Sequence, residues 1–204
     1  RGFLVKAGTI LFVACLVMWF LSSYGISDGH FGLVDAGDSI LAKIGGVLRY
    51  IFIPLGFGGA EGGWQAAAAS LSGFSAKEAI VTTMGVLANV SEELVEDGDA
   101  VGLAVSEWFP TAIAAFSFLL FNLLDSPCLA AIATMKSELN SRKWFWFAIL
   151  FQNIFAYVVT LIVYQLGMLF VHGAFGVGTV FAFIFLAVIL YAVFRKNPYK
   201  EMNV

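Results

Sequence analysis

Charge is what this sequence has least of. Only 12% of its 204 residues are Asp, Glu, Lys or Arg, against about 25% in soluble globular chains. The net charge is −3 and no run of Lys and Arg tracks along the chain, so nothing points to nucleic acid as a partner. Cysteine is equally scarce. Cys15 and Cys128 both lie inside apolar blocks and make no disulfide framework. The phosphate-binding pattern G-x-x-x-x-G-K-[ST] is missing, so nucleotide hydrolysis by this chain itself is not expected. The chain starts Arg-Gly-Phe-Leu, without Met and without a small-residue cleavage site after a short apolar core. It is therefore expected to be a fragment of something longer rather than a chain with a signal peptide.

What fills the space left by charge is apolar. The chain is 60% hydrophobic, with a mean hydropathy of +0.90, 21 Phe and 21 Gly. This is the composition of an integral membrane protein or a piece of one, embedded in a lipid bilayer.

Residues 3–21 read as a first span, with Lys6 and Trp19 near its ends as interface anchors. The first division of the chain is thus 1–24. Residues 25–63 form a polar, Gly-rich loop that carries a helix over 39–53. Ile40, Leu41, Ile44, Val47, Leu48 and Ile51 share one face of it, with Lys43 and Arg49 elsewhere, as in an interfacial amphipathic helix. Residues 64–143 hold two apolar blocks, 64–90 and 108–135, each interrupted in the middle. Between them lies an acidic loop, 91–107, with Glu92, Glu93, Glu96, Asp97, Asp99 and Glu107. Residues 144–204 supply two further spans, 144–171 and 176–194. Lys and Arg gather at the start of the chain, at 136–143 and after 194, which places those points, and the C-terminus, in the cytoplasm. Three apolar blocks between two cytoplasmic points require one to be re-entrant or to go in and out as a hairpin, and the short, Ala- and Gly-rich 64–90 block is the choice. The fold class is an all-α polytopic membrane protein with discontinuous helices.

The interruptions carry the functional reading. In FNLLDSPCLAAIATM, Ser126 can cap a helix whose first turn holds Pro127 and Cys128. Ser75-Ala76-Lys77-Glu78 fits the S-x-x-E capping box. SAKEAIVTTM (75–84) and SPCLAAIATM (126–135) agree at the Ser, one Ala, the second Thr and the Met. Paired breaks in two hydrophobic segments point to a transporter binding site, because irregular backbone at membrane depth survives only inside protein or along a water-filled path. The candidate ligands there are Cys128, Asp125, Glu78, Ser126 and Ser75. Thiolate, carboxylate and hydroxyl together suit a transition-metal cation. Helix N-termini favour anions, so carbonyl ends and acids would have to outweigh them. The bland readings are packing for Cys128, a pair with Lys77 or a helix end for Glu78, and a hydrogen-bonding role at the break for Asp125. Cys15 reads as packing.

These segments resemble a known family. KAGTILFVACLVMWFLSSYG, GFSAKEAIVTTMGVL, SPCLAAIATMKSEL and WFWFAILFQNIFAYVVTLIVYQLG, in this order, are similar to the C-terminal membrane region of the bacterial ferrous iron transport protein B family, over about residues 1–195. The resemblance implies a Gate-type domain in the inner membrane that imports Fe2+, with Cys128 as the residue on the metal path. It implies partners too: an N-terminal G domain that binds GTP and Mg2+, a first membrane half of the same protein, and small Feo accessory proteins. No cofactor is implied for this chain. The family pattern has an apolar residue where Ser126 stands, and the 91–107 loop looks like an insertion. The competing functions are a Gate-type nucleoside or other solute transporter, and a membrane assembly subunit that transports nothing.

Overall fold

A computed structural model describes residues 2–27, 30–59, 63–88, 98–139 and 141–195. The chain opens with helix α1 (Gly2–Ser23), an unbroken run of strong helix formers and apolar residues. A two-stranded antiparallel hairpin follows, β1 (Tyr24–Ser27) paired with β2 (His30–Leu33) in the register Tyr24↔Leu33. This is a departure within the polar loop, in an otherwise helical molecule. The Asp28-Gly29 pair between the strands is the dipeptide that hairpins favour. Tyr24 stacks on Phe20 at 4.7 Å and on Phe31 at 5.7 Å, tying the hairpin to the end of α1.

Helix α2 (Ile40–Phe52) starts where the Ser39 hydroxyl accepts from the Ala42 amide at 3.1 Å. Its buried residues are Leu41, Ala42, Gly45 and Phe52, while Val47 and Ile51 are exposed. This corrects the expected apolar face, which included both. The reason lies in the neighbour, α3 (Gly63–Ser72), whose Ala66, Ala67, Ala68 and Ala69 are all fully buried. The two helices approach so closely that a Cβ on Gly45 would sit 2.6 Å from the Trp64 carbonyl oxygen. A small-residue seam decides which side of α2 is inside.

The carbonyls at the end of α2 and in the turn after it need partners beyond the helix. Tyr157 Oη donates to Ile51 O at 2.9 Å, Gln165 Nε2 to Pro54 O at 2.9 Å, and Ser117 Oγ to Leu55 O. Gly56 then turns the chain at φ +94°, where a Cβ would run into the Tyr164 ring. Phe52, Phe57, Phe118 and Phe121 pack ring on ring at 5.0–5.3 Å around this turn and form the centre of the core.

Helix α4 (Ala79–Leu87) packs back on α3 across the turn at 73–78. The predicted acidic loop is partly helical: α5 spans Gly98–Val105, and Val105 and Trp108 enter the core. Its apolar positions outweigh its acids once tertiary contacts are available. Glu92, Glu93, Glu96 and Asp97 lie outside the described residues, as do residues 196–204.

Thr111 caps α6 (Ala112–Leu124), and α7 (Leu129–Glu138) follows after the break at 125–128. The stretch Ala112–Glu138, together with α8 (Arg142–His172) and α9 (Val177–Phe194), is long and apolar enough to cross a membrane. Helix α8 has 31 residues, roughly 46 Å at about 1.5 Å per residue, so it exceeds the ~30 Å hydrocarbon core. It packs along both α6 and α9. The predicted all-α polytopic class holds.

Candidate functional site

The two interruptions meet. The amide of Leu129, first residue of α7, donates to the Phe74 carbonyl at 2.9 Å, so the two breaks are joined through their backbones. The helix starts differ from the sequence expectation at both places. Helix α7 begins at Leu129 with Cys128 as its N-cap residue, rather than at Pro127 behind Ser126. Ser126 is otherwise engaged, since its hydroxyl accepts from the Asn153 amide of α8. Helix α4 begins at Ala79, with Glu78 at the cap position and no side-chain cap. The expected capping box from Ser75 does not form. Ser75 is buried in the turn, and its hydroxyl lies 4.0 Å from the sulfur of Cys15 on α1.

Charge crosses between the breaks as well. Lys77, on the first, is ion-paired with Asp125, on the second. Its ammonium also donates to the Asn122 carbonyl at 2.7 Å. That carbonyl belongs to the last turn of α6, whose oxygens lack helical partners and carry the negative end of the dipole. Asp125 is 2% exposed and Lys77 is about one-third exposed. The backbone of Asp125 is fixed on both sides: its amide donates to Phe121 O at 2.8 Å, and its carbonyl accepts from Gln152 Nε2 at 3.1 Å. Lys77 sits on a turn. The suggested Lys77–Glu78 pairing is therefore replaced by a pairing across the site.

Of the sequence candidates, Ser75, Asp125, Ser126 and Cys128 are brought to this junction, the first three buried and Cys128 half-buried. Glu78 is not, as its side chain is exposed beside the turn. Sequence reasoning missed Gln152, Asn153 and the partner role of Lys77, took Cys15 for packing, and weighed Asn122 only for a nucleoside. Two signals were available. Gln152-Asn153 is a polar pair in the middle of the longest apolar span, and intramembrane polar groups default to function. Lys77 and Cys128 also stand at equivalent places in the aligned segments, two residues after each Ser.

No group of three or more His, Cys, Asp or Glu side chains is placed to hold a metal among the described residues. An ion at this junction would have to draw on hydroxyl, amide and carbonyl oxygens beside one carboxylate and one thiol. Among the described residues, the Asn122 Oδ1 is buried and has no hydrogen-bond partner.

An all-α membrane protein whose buried polar groups gather where two helices are interrupted has the architecture of a gated membrane pathway. A family model named Gate, described as nucleoside recognition, matches residues 4–142, and the chain belongs to that family. It is similar to curated proteins named Fe(2+) transporter FeoB. The identity is 37% over 84% of this chain for Staphylococcus aureus (strain MSSA476), 33% over 81% for Methanocaldococcus jannaschii, and 25% over 82% for a Fe(2+) transport protein A/Fe(2+) transporter FeoB fusion protein of Porphyromonas gingivalis. The chain spans about a quarter of the length of these relatives. No solved structure matches it.

Proposed function

We propose that this chain is one membrane half of a ferrous iron importer, and that Fe2+ passes the junction of the two breaks. The observation that carries the reading is the junction itself. A thiol, a carboxylate, two buried hydroxyls and the free carbonyl end of α6 converge inside an otherwise apolar chain. The Fe(2+) transporters it resembles supply the ion. Fe2+ is the substrate, held in passing by Cys128, Asp125, Ser126 and Ser75, a mixed set that suits a borderline transition-metal ion. Cys15, beside Ser75, adds a second thiol. Glu78, exposed next to the turn, serves as a cation-attracting charge at the mouth.

The amides of the site do not favour a nucleoside. Asn153 uses both of its N–H groups within the protein, on Ser126 Oγ and on Ile149 O, while Asn122 Nδ2 commits one to Phe118 O at 2.8 Å and Gln152 Nε2 one to Asp125 O at 3.1 Å.

In this reading α1, α6–α7, α8 and α9 cross an inner membrane and the C-terminus is cytoplasmic. The positive Lys136, Arg142, Lys143 and Arg195 support that orientation. The packing of α4 back on α3 supports 64–90 as the re-entrant block. A GTP- and Mg2+-binding G domain and a first membrane half belong to the longer protein. The fusion relative supports a small accessory protein as a further partner.

The test is anaerobic Fe(II) uptake by cells carrying the full-length protein, wild type against Cys128→Ser, with membrane abundance measured in parallel. Uptake falls at equal abundance if Cys128 lies on the path. Unchanged uptake removes Cys128 from it. A wild type that moves no Fe(II) ends the proposal.

A further inference from the structure

We propose that Lys77 is a tethered counter-ion: it occupies the cation position formed by Asp125 and the Asn122 carbonyl while that position is empty, and leaves it when a divalent cation arrives. The inference rests on the ferrous-ion reading above and adds what the empty state contains.

The two partners of the pair are unequal. The carboxylate is almost wholly buried, and it rides on a backbone fixed by the Asp125 amide's bond to Phe121 O and the Asp125 carbonyl's bond from Gln152 Nε2. The ammonium is at the end of a four-carbon arm on a turn between helices, and its side chain is 35% exposed. If one partner moves, it is Lys77. The position it fills is built of oxygen: the Asp125 carboxylate, and the Asn122 carbonyl at the negative end of α6. Oxygen sets of this kind hold compact cations, and the lysine ammonium is a compact cation. A divalent ion and an ammonium cannot share the same oxygens, because their mutual repulsion at contact distance is large in a low-dielectric site. Binding is therefore exchange.

Exchange has a conformational consequence. Lys77 reaches Asp125 and Asn122 from the opposite break. Its departure removes the charge contacts between the breaks and leaves the Leu129–Phe74 backbone bond. Occupancy by the ion thereby loosens the junction through which the ion must pass. In the empty state the buried carboxylate keeps a partner, as a buried charge requires.

The experiment uses the purified full-length protein in detergent, anaerobically, with Fe(II) as the probe. Amine labelling read by mass spectrometry is compared with and without saturating Fe(II) in the wild type. Labelling of Lys77 rises, while that of exposed Lys43 stays constant. Constant or reduced labelling of Lys77 overturns the proposal without any variant. In parallel, Lys77→Met removes the competitor. It binds Fe(II) about fivefold or more tightly and lowers both KM and the maximal rate of uptake, whereas Asp125→Asn loses saturable binding. Equal or weaker binding by Lys77→Met makes the pair merely structural and also overturns the proposal. Should the wild type neither bind nor import Fe(II), the ferrous-ion reading falls, and this inference with it.

Discussion

In α3–α4 the chain turns back, so that the second short helix lies against the first, with Gly73 facing Ile80 at the bend. In α6–α7 the break at 125–128 is instead braced from outside by Gln152 and Asn153 of α8. Both interruptions place a buried serine at the matching position, Ser75 and Ser126. They differ two residues later, where one carries an ammonium and the other a thiol. The first segment contributes a movable cation and the second a fixed anion. The two breaks thus bring opposite charges to the junction.

That contrast can be broken from its strongest point. Lys77→Met leaves Asp125 buried and unpaired, and it should cost about 3 kcal/mol in the unfolding of the full-length protein. Adding Asp125→Asn should recover most of the loss, since no uncompensated charge then remains. A Lys77→Met protein as stable as wild type would mean the pair contributes nothing across the breaks. A Cβ on Gly73 would already meet Ile80 at 2.8 Å. Gly73→Val should therefore force α4 off α3 at a cost of about 2 kcal/mol, read by the same melts. The same substitution at Gly46, which has open space around it, should cost less.

Leu129→Pro sharpens the comparison in a different way. Proline is tolerated at the first position of a helix, and Cys128 already has the extended backbone (ψ 159°) that a following proline needs. The change therefore keeps α7 and deletes the one backbone bond to Phe74. Stability should fall by about 1 kcal/mol, while Fe(II) uptake should drop out of proportion to it. Proportionate loss would show that the two breaks need not be joined. Glu78→Gln is the mildest test. Stability should stay within about 0.5 kcal/mol, and the half-saturating Fe(II) concentration should rise about twofold, less so at high salt.

Much of this molecule was legible beforehand. Apolar runs of the right length announce spans, because a bilayer imposes one length scale on any helix that crosses it. Ser, Pro and Gly in the middle of such runs announce interruptions, because those residues change what the backbone can do locally. The failures are of one kind. The apolar face of α2 was misjudged because Val47 and Ile51 are as hydrophobic as Leu41, and only the Ala surface of α3, reached through Gly45, selects the inner side. The helix starts were placed too early because Ser75 and Ser126 look like caps until Cys15 and Asn153 occupy their surroundings. The 98–105 helix was read as loop because acids are counted locally, while Val105 and Trp108 find their contacts far away in the chain.

The sequence by itself determined the solvent, the helical class and the positions of the two breaks, since each follows from hydrophobicity, spacing and local backbone chemistry. Tertiary structure alone decided that Lys77 faces Asp125 rather than Glu78, and that a thiol from α1 stands beside Ser75. These pairings join residues 48 or more positions apart, from the 60 that separate Cys15 from Ser75 to the 48 between Lys77 and Asp125 (125 − 77). No local preference encodes such a distance. It is fixed when the short helices pack, and the packing chooses which buried charge meets which.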